Sequence, residues 1–139
     1  MIYDTNIQII LKEIDNANDK KRALRHAYND LVSTFENICK NKNVSNKKYN
    51  FQNLDSAKEF FHDHFNINMF QGLISDEILS IKRLFQKRHL YQHNRGFIDQ
   101  KYINIIPEDS HLLNNEAPLT REEFIKGAEA MRKIMVKMI

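Results

Sequence analysis

At 139 residues, 42% hydrophobic and 28% charged, the chain is sized and composed for a single folded domain around one core, which excludes two domains or a disordered tail. No apolar run approaches the ~18 residues of a membrane span, and no basic-then-apolar leader is visible, so a cytoplasmic protein with no membrane partner is expected. A net charge of +3 is too mild to argue for nucleic-acid binding on its own, and the lone Cys39 cannot form an internal disulfide and reads as a small buried hydrophobe.

With three glycines and two prolines, there is little material for tight turns, and long helices are expected. Residues 4–17 place Ile7, Ile10, Leu11 and Ile14 on one face of an amphipathic helix. Asn18 or Asp19 caps a second helix over roughly 19–41, with Leu24, Ala27, Tyr28, Leu31, Phe35 and Ile38 inward. The Asn/Lys-rich stretch 41–53 reads as a solvated loop. Asp55 or Ser56 opens a short helix through Phe65 whose apolar face is Ala57, Phe60, Phe61 and Phe65, with His62, Asp63 and His64 exposed beside it. Ser75-Asp76-Glu77 starts a helix to about Gln92, with Ile74, Ile78, Ile81 and Phe85 at helical spacing. Residues 94–119 hold Gly96, Pro107 and Pro118 and are expected to be irregular, Tyr102-Ile103-Ile105 being extended or simply packed loop. Thr120-Arg121-Glu122-Glu123 is a capping box that launches a last helix with Phe124, Ile125, Ala128, Met131, Ile134 and Met135 toward the core. The sum is an all-α, antiparallel bundle of about five helices.

Chemistry concentrates in Lys87-Arg88-His89-Leu90-Tyr91-Gln92-His93-Asn94. At about 100° per residue, Arg88 and His89 fall on the two flanks of the fourth helix's apolar stripe. From Lys82 to Lys101 there are six basic residues and one acid, Asp99, a local excess suited to phosphate. Further basic groups are Lys20-Lys21-Arg22 with Arg25, and Lys40, Lys42, Lys47 and Lys48, whose plain reading is solvated helix ends. His89-x3-His93 also has the spacing of two zinc ligands on one helix, but Leu90 stands where the general-base glutamate belongs and no third ligand is evident, so no metal and no cofactor is expected.

Arg88-His89-x3-His93 resembles the Arg-polar-x3-His motif of the HEPN superfamily, and Asn94-Arg95-Gly96-Phe97-Ile98-Asp99-Gln100-Lys101-Tyr102 is similar to the continuation in one branch of it. Together the two pieces cover about fifteen residues, Arg88 to Tyr102. The resemblance implies a small helical domain and a metal-independent endoribonuclease of a bacterial defence, toxin or stress system. Arg88 and His93 would be catalytic, with His89 and Asn94 orienting the site, although capping the helix end is the preferred role for Asn94. Lys87, Arg95 and Lys101 would bind RNA. It also implies a two-fold homodimer whose motif helices meet, with Ile81 and Phe85 on the seam, and an antitoxin or regulatory partner protein. Arg95 stands where antitoxin-modified members carry tyrosine, which argues against control by that particular route. Independently of the family, an imidazole suits proton transfer in RNA cleavage and a guanidinium suits the charged phosphorane. A non-catalytic HEPN-like module that binds nucleotide or RNA, or only dimerises, is the competing expectation.

Overall fold

The computed structural model describes residues 2–138 and is all-α. The helices are α1 (Ile2–Asn16), α2 (Lys20–Lys42), α3 (Leu54–Phe65), α4 (Ser75–His93), α5 (Gln100–Ile105) and α6 (Arg121–Met135), with 3-10 turns at Pro107–Leu112 and Val136–Met138. Asp19, Asn53 and Thr120 each cap their helix by accepting a backbone N–H three residues on, the interaction that favours Asn, Asp and Thr at these positions. Among the described residues no helix is long and apolar enough to cross a membrane.

The central core is made by α1, α2, α3, α6 and the first three turns of α4, with α4 packed chiefly on α6 and α1 on α2. The close approach of α4 and α6 depends on Gly127, where a Cβ would lie 2.1 Å from Leu84 Cδ1. The expected stripes are largely the buried faces, with two differences. Ile74 precedes α4 and is 65% exposed, whereas Leu84 and Leu90 bury beside Ile81 and Phe85. His64, expected exposed, is half-buried, its ring 4.7 Å from that of Phe60.

The expectation of an irregular 94–119 segment needs correction. Asp99 accepts from the Tyr102 amide at 2.9 Å and caps α5, which supplies the helix that the β-branched Ile103, Ile105 and Ile106 obscure. Leu90, Ile98, Tyr102, Ile103, Ile106 and Ala117 form a second small core under the end of α4. Its ends are tied by Ala117 N donating to Gly96 O (2.7 Å) and by reciprocal backbone bonds of Ile98 with Asn114 and Asn115. Tyr102 Oη donates to Asp109 at 2.6 Å, and Arg83 pairs with the same carboxylate. Burial alone would raise the Asp109 carboxyl; the hydrogen bonds from Arg83 and Tyr102 outweigh it and hold the group below the usual carboxylate range. A small lobe is thereby fastened to α4 just where the basic motif lies.

Candidate functional site

The last two turns of α4 divide their polar residues between interior and surface. Lys87 is 3% exposed, and its ammonium donates to Pro118 O at 2.6 Å and to both Glu123 oxygens at 2.9 Å. Glu123 also accepts from Tyr28 Oη. This corrects two expectations. Lys87 is a buried cation neutralised inside the fold, not an RNA contact, because a lysine so enclosed needs a paired anion. Glu123 serves that pair, while Thr120 alone caps α6.

Arg88 is also buried, at 8% exposure, yet its contacts are neutral. Its Nε donates to Asn29 Oδ1 at 3.1 Å and its Nη1 to Gln52 Oε1 at 3.3 Å. Gln52 in turn donates to Glu36 at 3.3 Å, so the nearest acid is one residue removed. Burial pulls the guanidinium below the usual arginine range, partly offset by Glu36, but it stays a cation at neutral pH. Amide partners orient the fork without cancelling its charge, and most of its five N–H donors are left for another acceptor.

Beside Arg88 opens a groove of about 370 Å³ between the 50–53 loop, the end of α4 and α5. Arg88, His89, His93, Asp99 and Lys101 all line it. Arg88 and His93 lie about 140° apart on an ideal helix, but the loop and α5 wall the space between them, so both face one cavity. The His89 and His93 rings are 4.6 Å apart. Partial burial, and then the charges of His93 and Lys101, hold the His89 imidazole below the usual histidine range, so it is neutral at pH 7.

Asn94 donates from Nδ2 to Phe97 O at 2.8 Å and is the C-cap of α4. The left-handed conformation that favours asparagine at helix ends belongs instead to the next two residues: Asn94 has φ −140°, whereas Arg95 has φ 56° and Gly96 has φ 83°. Gly96 is required twice over, by that φ and because a Cβ would meet the Tyr91 ring at 2.3 Å. Arg95 is exposed beyond the groove's lining.

Ile81 and Phe85 are 0% and 3% exposed within the single chain, and Phe85 packs edge-on to Phe35 at 5.7 Å. They belong to the core, which corrects their expected place on a dimer seam: the periodicity marked a buried face and could not say what buries it. Asn29 and Gln52 are site residues that were not anticipated. Asn29, a poor helix former amid the apolar stripe of α2, is a signal in retrospect; Gln52, in a polar loop, carries none.

Among the described residues no group of three or more His, Cys, Asp or Glu is placed to hold a metal ion. The arrangement offers a recessed guanidinium, two adjacent imidazoles and a lysine around a cavity with one carboxylate, a set that can hold a phosphodiester and move protons. Comparison of the chain with family models, with curated proteins and with solved structures finds no match.

Proposed function

We propose that the chain is a HEPN-like endoribonuclease that cuts RNA without a metal. The observation that carries this reading is the convergence of Arg88, His89, His93 and Lys101 on one groove. Arg88 and Lys101 hold the scissile phosphate. One imidazole takes the proton of the 2′-hydroxyl as that oxygen bonds to phosphorus, and the other protonates the 5′-oxygen as its bond to phosphorus breaks. His89, kept neutral at pH 7, suits the accepting role, and His93 then serves the leaving oxygen. The products are a 2′,3′-cyclic phosphate and a 5′-hydroxyl. Negative charge gathering on the phosphoryl oxygens meets the guanidinium in a site already organised by Asn29 and Gln52, which favours the transition state over the substrate.

Assembly as a two-fold homodimer belongs to the same proposal, with the contact on the exposed flank of α4 at His89, Gln92 and His93 and not through Ile81 and Phe85. A regulatory partner protein in a defence or toxin system also belongs to it. A specific observation favours the second reading, a non-catalytic RNA- or nucleotide-binding module: Arg88 is only 8% exposed and already engaged by two amides. Incubation of the wild type and His93→Ala with a panel of RNAs in EDTA separates the two, since binding without cleavage supports the module.

A further inference from the structure

Arg88 has a second cavity on its other side. Between the first turns of α2 and the end of α4 lies a pocket of about 340 Å³ whose lining includes Arg22, Arg25, His26, Arg88 and Gln92 and no carboxylate. Neither Arg22 nor Arg25 is in an ion pair with another described residue. Arg25 is held over the Tyr91 ring, 5.9 Å from its centroid, and Tyr91 is itself fixed by donating to Ala117 O at 2.7 Å. The acids near these cations, Glu116 by Arg25 and Asp30 by His26, stand outside the lining. Glu116 is already paired with Lys21 at 2.5 Å. Gln92 Nε2 and Arg88 Nε share Asn29 Oδ1, so the wall between the pocket and the groove is one hydrogen-bonded unit.

Three arginines around one cavity repel one another, and among the described residues no carboxylate lines the cavity; Glu116 near Arg25 and Glu36 near Arg88 act only from outside it. We propose that this pocket is a second phosphate subsite for a single RNA strand, taking a phosphodiester that neighbours the one in the His93 groove, with Arg88 the wall between them. This rests on reading the groove as an RNA site. A strand and not a free mononucleotide is inferred because Arg88 lines both cavities, so a phosphate in one has the other within reach of a neighbouring phosphate. A single strand and not a duplex is inferred because the shared guanidinium is recessed, and only a flexible backbone can bring phosphates to both of its sides.

The test is fluorescence anisotropy of the full chain with a labelled 2′-O-methyl octanucleotide, which cannot be cut because its 2′-oxygen is no nucleophile. Arg22→Gln/Arg25→Gln should weaken binding roughly ten-fold or more and flatten the slope of log affinity against log salt by about 0.7 to 1.4, the single-strand value for one to two lost phosphate contacts. Lys42→Gln/Lys48→Gln removes the same charge at residues that line neither cavity and should change neither. Both pairs are exposed, so circular dichroism should report unaltered folds. Equal losses in the two double variants, no loss in either, or no binding by the wild type would overturn the subsite. So would a mononucleotide that competes as well as the octamer, since the pocket would then be a free-nucleotide site. Because nothing is cleaved in this assay, the nuclease reading fails separately: octamer binding that needs Arg22 and Arg25, in a chain that cuts no RNA, keeps the subsite and loses the enzyme.

Discussion

Asn29 Oδ1 accepts from Arg88 Nε at 3.1 Å, and this neutral contact holds the site's buried guanidinium in place while leaving it charged. Replacing the amide by an acid should therefore act through charge and not through shape. Asn29→Asp places a carboxylate on Arg88 and should lower RNA cleavage by roughly ten-fold or more, because the phosphate then competes with a fixed anion. Asn29→Ala frees the fork and should cost only a few-fold, by loosened orientation. Rates for the two variants under single-turnover conditions check this. A harmless Asn29→Asp would show that Arg88 does not meet the substrate.

Phe85 lies against Phe35 in the core, and its substitution should act on folding and not on assembly. Phe85→Glu buries a carboxylate among aromatic rings and also removes a large side chain, a loss of about 4 kcal/mol or more. The expected outcome is an unfolded or aggregated chain by circular dichroism. A folded, soluble variant would return Phe85 to the surface.

Gly96 joins α4 to the small lobe at φ 83°, under the Tyr91 ring. Gly96→Ala combines a left-handed strain with a clash against a packed ring and should cost about 2 kcal/mol or more by urea denaturation. Displacement of Tyr91 should also disturb Arg25 above it. A change below about 0.5 kcal/mol, the range of an ordinary surface substitution, would mean that the turn relaxes freely.

The bundle was legible because α2, α3 and α6 are amphipathic and α2 and α6 are capped by Asp19 and Thr120, signals that are local in sequence; the cap of α3 is Asn53, ahead of the expected Asp55 or Ser56. The motif helix was legible in extent, and Arg88 with His93 stood out by spacing. What escaped was tertiary. Helical spacing shows that Ile81 and Phe85 are buried, not whether their own chain or a second copy buries them. A lysine in a basic run looks solvated until Glu123, far along the chain, is found beside it. Gln52 reaches Arg88 only because the loop after α2 folds back over α4.

His89 should titrate below the usual histidine value of about 6.5, chiefly through partial burial and then through the charges of His93 and Lys101. Lys101→Ala should move it upward. Because the folded state resists protonation, its contribution to stability is present above the unfolded value and is lost as pH falls from there through the folded value. Ring-proton NMR shifts against pH report the titration directly. A His89 that titrates at or above 6.5 would remove the reason to assign it the accepting role.

The most direct measurement of the central claim is the chemistry of the cut. In EDTA, the wild type should cleave a susceptible RNA to fragments ending in a 2′,3′-cyclic phosphate and beginning with a 5′-hydroxyl, with no cleavage of the matching DNA. Arg88→Ala and His93→Ala should each lower the rate by about two to four orders of magnitude, the range for loss of an oxyanion donor or a general acid–base group. Fragments with 5′-phosphates, activity that EDTA abolishes, or cleavage that survives both substitutions would contradict the account.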